Sequence, residues 1–460
     1  MKTMNLTKNQ IKHLNSHSGK LSRRQFVGLG LAGATSVVFS SRALGMPSLN
    51  SGLPSHFNNT IPFLSFDLVG GASMPGNFLV GNSGGPQDLL TSYDVLGWNP
   101  RVDGWDDRFG LPMGKANVSK IFEGMTQVMS AEAQSRFKMA SIVHVTRDDT
   151  SDNPLSLLEL VTSVEGAGGN GFKNGVGTYS TNSGGNSGSL KTFSTSRPLF
   201  ISQPNDFGLL SGRSNVIQKL GENSNNSLGT TLRKLSRRQV FNLFGDGEKS
   251  RQINNQFEGL SALNTLNFKP TDYSDLVDIY SLNQNNDSTT LLRAGIAHLV
   301  INKVSGPGVI TIGGCDYHDG TQATGDAKDL EIGNNIGRAI ELAHRRKTPL
   351  FIHIFTDGGV SAKTGSRDWL ADDGEKSLSV IGFYDPASIP TYRTSNSMQI
   401  GHFTNGQGVN RDTLLGASPS LASYAVFANY LNLNGRLGDF NEYTARPFTS
   451  EGLDSILVFN

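Results

Sequence analysis

Gly308-Val309-Ile310-Thr311-Ile312-Gly313-Gly314-Cys315-Asp316-Tyr317-His318 is a short β-branched run that breaks into glycine and then into acidic and imidazole side chains. Such residues fit a pleated strand and the glycines stop it, so the run reads as a buried strand whose end carries polar groups. Upstream, Leu292, Ile296, Leu299, Val300 and Val304 share one face of a helix. Downstream, Leu330, Ile336, Ile340 and Ala343 do the same, and that helix ends at His344-Arg345-Arg346, where basic side chains suit the negative end of a helix dipole. A further apolar run, Leu350 to Phe355, then ends in Thr356-Asp357-Gly358-Gly359. Strand–helix–strand alternation predicts an α/β fold, with a mostly parallel sheet covered by helices.

The same design occurs twice earlier. Ile61 to Val69 ends in Gly70-Gly71-Ala72-Ser73, and Met139 to Val145 ends in a polar loop, Thr146 to Pro154, that holds Thr150 and Ser151. Leu378 to Phe383 and Met398 to Phe403 are further strand candidates, and Ala422 to Leu431 reads as a late helix. Two stretches differ. Residues 166–189 are rich in Gly, Asn and Ser and read as a flexible surface excursion. Residues 205–287 are polar and helix-compatible, and read as an insertion or cap. Ligands of open α/β sheets bind beyond the carboxyl ends of the strands, so the four polar loops mark the expected site.

Residues 1–45 read as an address: a basic leader, the twin-arginine box Ser22-Arg23-Arg24-Gln25-Phe26-Val27, a weakly apolar run to Phe39, and small residues at Ala43-Leu44-Gly45. The expectation is export by the bacterial twin-arginine machinery to the periplasm or beyond. An ordinary N-terminal helix with two chance arginines is the alternative. A second box, Ser236 to Phe241, has no apolar run after it and reads as a solvated basic surface. Residues 46–460 suffice for one large α/β domain. With 40 basic against 39 acidic residues the chain has no basic excess to hold nucleic acid, and no stretch is long and apolar enough for a membrane span. Cys315 is the only cysteine, so an internal disulfide is impossible.

The chemistry-bearing residues are Asp316 and His318 at one strand end, Asp357 at the next, and His402 after a later strand. Carboxylate and imidazole together suit a divalent cation such as zinc, manganese or calcium. Thr150 and Ser151 are the candidate nucleophiles. The alternatives are plain: Asp357-Gly358-Gly359 also makes a simple turn, and Asp316 and His318 also brace one. His144 and His353 read as structural or packing histidines, and His298 and His344 as ordinary helix residues.

The order Phe66-Asp67-Leu68-Val69-Gly70-Gly71, Arg108-Phe109-Gly110-Leu111-Pro112, the Thr150-Ser151 loop, Gly313 to His318 and Phe355 to Gly359 resembles the twin-arginine-exported bacterial proteins of the domain-of-unknown-function family fifteen-oh-one. The resemblance spans roughly residues 60–415. It implies an alkaline-phosphatase-like core and metal-dependent hydrolysis of phosphate or sulfate esters, on an anionic small molecule or envelope polymer. Asp316, His318, Asp357 and His402 would hold the metal, and Thr150 or Ser151 would attack. The chain departs from the family pattern at Ser73, where the family has Asp, and at Ser151, which Asp152-Asn153 follow in place of His-Phe. It departs again at Asp357 to Val360 in place of Glu-Phe-Gly-Arg, and at Gly401-His402-Phe403 in place of Asp-His-Gly. The alternative is a catalytically degenerate member serving as a binding or assembly protein of the cell envelope.

Replacing Arg23 and Arg24 with Lys is expected to leave full-length precursor in the cytoplasm. Fractionation with immunoblotting checks it, and normal periplasmic accumulation of the double variant would refute the export signal.

Overall fold

Most of the apolar runs become strands of a single sheet. The computed structural model describes residues 60–147, 156–169, 175–179, 198–207, 268–318, 322–394, 398–444 and 448–460. Its strands are β1 (Phe63–Leu68), β2 (Trp105–Asp106), β3 (Met113–Gly114), β4 (Phe137–Val143), β5 (Val176–Gly177), β6 (Leu199–Phe200), β7 (Gly308–Ile312), β8 (Leu350–Thr356), β9 (Val360–Ala362), β10 (Trp369–Asp372), β11 (Leu378–Tyr384) and β12 (Gln399–Ile400). Eight of them form one sheet in the order β12-β4-β11-β8-β1-β7-β5-β6. β1 lies parallel to both β7 and β8. β11 runs antiparallel to both β8 and β4, which turns β4 back to the direction of β8. The carboxyl ends of β1, β4, β7 and β8 therefore share one edge, and the chain is an α/β protein with a mostly parallel mixed sheet.

Every residue of β1, β7, β8 and β11 is buried, as strands covered on both faces require. Leu64, Phe66, Ile310, Ile352 and Ile354 form one face, in a core with Ile121, Ile296, Ile332 and Ile336 from three helices, Lys120–Val128, Ser288–Ile301 and Gln322–Arg345. Phe63, Val309, Phe351 and Ile381 form the other face, in a core with Ala425, Phe427 and Leu431 of the helix Pro419–Leu433. The helices Lys120–Val128 and Gln322–Arg345 touch backbone to backbone. A Cβ at Gly333 would lie 2.2 Å from the Ile121 carbonyl oxygen, and one at Gly124 2.6 Å from that of Leu330.

Two expectations change. Val176 and Gly177, inside the stretch read as a flexible excursion, form β5 beside β7. Gly177 is there for closeness rather than freedom, since a Cβ would lie 2.2 Å from Val309 Cγ1. Of the strand expected over Met398 to Phe403, only Gln399–Ile400 joins the sheet, and Phe403 makes an isolated bridge to Val409. The address at 1–45, the Thr150-Ser151 loop, the box at 236–241 and most of the expected insertion lie outside the described residues. Among the described residues no helix is long and apolar enough to cross a membrane.

Three imidazoles are sealed into this core. His144 Nδ1–H donates to the Val145 carbonyl at 2.8 Å, which leaves Nε2 to accept from the Ser379 hydroxyl at 2.8 Å. Burial pushes His144 down to about 4. Burial, then the neighbouring His144, pushes His353 down to about 3; burial, then Arg346, does the same to His298. An unfolded histidine titrates near 6.5, so the unfolded chain takes up protons that the folded chain refuses. Their stabilising contribution is complete above about pH 6.5 and is lost as pH falls towards the folded values. Asp329, pushed up to about 6 by burial, has the opposite sign and offsets one histidine. The unfolding free energy from urea denaturation is expected to fall between about pH 6.5 and pH 5, by roughly 1.4 kcal/mol per pH unit for each unopposed histidine. His353→Phe keeps a ring against Phe355 and removes one titrating site, so its decline should be shallower; an unchanged slope would refute this account.

Candidate functional site

The central strand β1 leaves the sheet between the ends of its two neighbours. Its ladder with β7 runs on past the strands: Val69 N–H donates to Ile312 O and Cys315 N–H to Val69 O, both at 3.0 Å. On the other side Gly70 N–H donates to Asp357 Oδ1 at 2.8 Å, and Ala72 N–H to Thr356 Oγ1 at 3.0 Å. Gly70 has φ +111, and a Cβ there would lie 2.8 Å from Asp316 N. The Gly70-Gly71 turn thus fills the gap between the loop carrying Asp316 and the loop carrying Asp357.

Beyond Cys315 the side chains continue to alternate. Tyr317 is fully buried, while Asp316 and His318 on either side of it reach solvent. Tyr317 O–H donates to Asp329 Oδ1 at 2.6 Å. Asn77 Nδ2 donates to Asp329 Oδ2 at 2.8 Å and to Ser73 O at 3.0 Å, and Arg367 Nη2 stands 3.6 Å from Asp329 Oδ2. Burial raises Asp329 to about 6, although Arg367, Asn77 and Tyr317 all favour its charged form. Burial also pushes the Cys315 thiol well up, which argues against its use as a nucleophile.

Asp316 Oδ1 and His318 Nδ1 are in contact, and His318 Nδ1 lies 3.3 Å from Asp372 Oδ1. The three residues each offer a ligand atom within 4.8 Å of the other two, and no other such trio occurs among the described residues. Asp372 ends β10, in a hairpin that leaves the sheet just after Asp357-Gly358-Gly359. The hairpin is held down by Arg367, whose Nη1 donates to Gly76 O at 2.9 Å and whose Nε donates to Asp326 Oδ1 at 3.2 Å. The Arg367 guanidinium also covers the Trp369 ring at 5.3 Å, and that ring is buried against Gly97 and Gly325.

The expected residues separate accordingly. Asp316 and His318 meet at the edge. Asp357 is fully buried at the same edge and holds Gly70. His402 follows β12, which is five strands along from β7, and its Nε2 lies 2.9 Å from Asn410 Nδ2. Thr150 and Ser151 lie outside the described residues. Sequence reasoning missed Asp372 and the Asn77–Asp329–Arg367 network. A hairpin reading of Val360 to Asp372 around Thr364-Gly365-Ser366 was the signal available for the first. No family model, curated protein or solved structure matches the chain.

Tyr317→Phe leaves Asp329 in a dry interior with one donor fewer. A loss of about 1–3 kcal/mol of folding stability is expected. Urea denaturation measures it, and an unchanged midpoint would show that the network does not hold the loop.

Proposed function

We propose that the carboxyl edge of the sheet is the active site of an exported, metal-dependent hydrolase of phosphate or sulfate esters, built on an alkaline-phosphatase-like core. The observation that carries this reading is the meeting of Asp316 and His318 where the parallel strands end. Carboxylate oxygen beside imidazole nitrogen is a donor set that fits a divalent cation. Bound there, a cation supplies Lewis acidity to a phosphoryl or sulfuryl oxygen and lowers the pKa of an attacking hydroxyl. Thr150 or Ser151, which follow β4 in the chain, are proposed to provide that hydroxyl. Asp357 serves this site through Gly70, fixing the turn against which the Asp316 backbone rests. The sequence resemblance and the twin-arginine box support the same reading.

A second reading has one observation in its favour. His402, which the resemblance offers as a ligand, is not in the trio of Asp316, His318 and Asp372 and is hydrogen-bonded to Asn410. A chain missing that ligand fits a degenerate member of the same fold, acting as a binding or assembly protein of the cell envelope.

Turnover of p-nitrophenyl phosphate and p-nitrophenyl sulfate, with zinc or manganese supplied, separates the two. The hydrolase reading expects Asp316→Ala to lose metal and at least about 100-fold in rate, more than an outer-sphere residue costs, while keeping its fold by circular dichroism. Metal-independent turnover, or no turnover by the wild-type protein, would sink it.

A further inference from the structure

We propose that Asp372 is the third protein ligand of a divalent-cation site with Asp316 and His318, so that metal binding fastens the β9–β10 hairpin to the sheet edge. The inference rests on Asp316 and His318 as ligands, and not on ester hydrolysis. Zinc holds imidazole nitrogen and carboxylate oxygen at about 2.0–2.2 Å, so neighbouring ligand atoms of a tetrahedral ion stand about 3.4 Å apart. His318 Nδ1 and Asp372 Oδ1 are separated by 3.3 Å, which is one edge of that tetrahedron. Asp316, from the same loop as His318, offers a carboxylate oxygen within 4.8 Å of the ligand atoms of both.

The hairpin supports the assignment independently. It buries Trp369 and Arg367 against the body of the protein, and Asp372 at its end is left exposed beside His318. Among the described residues Asp372 has no lysine or arginine as an ion-pair partner; its partner is His318. Two oxygens and one nitrogen suit zinc or manganese better than calcium, which takes six to eight oxygens. Three protein ligands leave a coordination position open, as in catalytic rather than structural zinc sites. The ion would close a loop from the end of β7 to the end of β10, with Trp369 three residues from the ligand.

The test is calorimetric titration of the full chain, stripped with chelator, with zinc chloride and with manganese chloride, while tryptophan fluorescence follows the hairpin. One ion per chain and a fluorescence change are expected. Asp372→Asn should weaken binding about 100-fold or more, beyond the loss an outer-sphere residue causes, and abolish the fluorescence change. Asp372→Glu, which keeps the carboxylate, should recover part of the affinity. Asp368→Asn, exposed on the same hairpin, should bind as wild type. Wild-type affinity in Asp372→Asn would overturn the inference and leave Asp316 and His318 as candidate ligands; no binding by the wild type would overturn both. Zinc bound through Asp372 without ester turnover would support this inference and overturn the hydrolase reading.

Discussion

Residue 70 has room for hydrogen and nothing more. β1 is the centre of the sheet, with β7 on one side and β8 on the other, so its exit must pass between the loops that those two strands release. A side chain at residue 70 would strike the Asp316 backbone, and its φ of +111 is one that side-chain-bearing residues rarely adopt. The glycine therefore sets how close the two loops lie. Its N–H ties Asp357 to the turn, and its missing Cβ admits Asp316. Everything at the carboxyl edge is positioned from this contact.

The edge is held from below by a polar core. Asp329 is a fully buried carboxylate on the helix Gln322–Arg345, met by Tyr317 from the site loop, Asn77 from the chain after β1, and Arg367 from the hairpin. A buried charge is costly unless paired and hydrogen-bonded, so each partner is fixed in place by the others. This gives Tyr317 a role opposite to that of its neighbours. It faces inward and anchors, and the alternation of the backbone then turns Asp316 and His318 outward. Arg367 does the same for the hairpin, so one buried carboxylate aligns both elements that carry the candidate ligands.

Glycine recurs where elements must approach. Gly124 and Gly333 let two helices meet at their backbones, and Gly177 lets β5 lie against Val309. A glycine in a helix interior lowers helix propensity by about 1 kcal/mol relative to alanine, so close packing has to return that loss. From composition alone such glycines look like flexibility, so Val176-Gly177 reads as part of a loose excursion.

The sequence by itself determined the α/β class, the positions of the main strands and the edge on which polar loops gather. Strand period, glycine stops and helix faces are local properties, and local properties are legible in order along the chain. The sequence also singled out Asp316 and His318, because residues two apart beside a strand end keep their relation whatever the rest of the chain does. Tertiary structure decided the rest. It set β11 antiparallel between β4 and β8, placed β12, which His402 follows, five strands from β7, and made Asp357 a brace for Gly70. It brought Asp372 to His318 from a hairpin that no spacing rule connects to residue 316. Those relations depend on strand order and on which side chains find room in the core, and both are settled only when distant segments pack against one another.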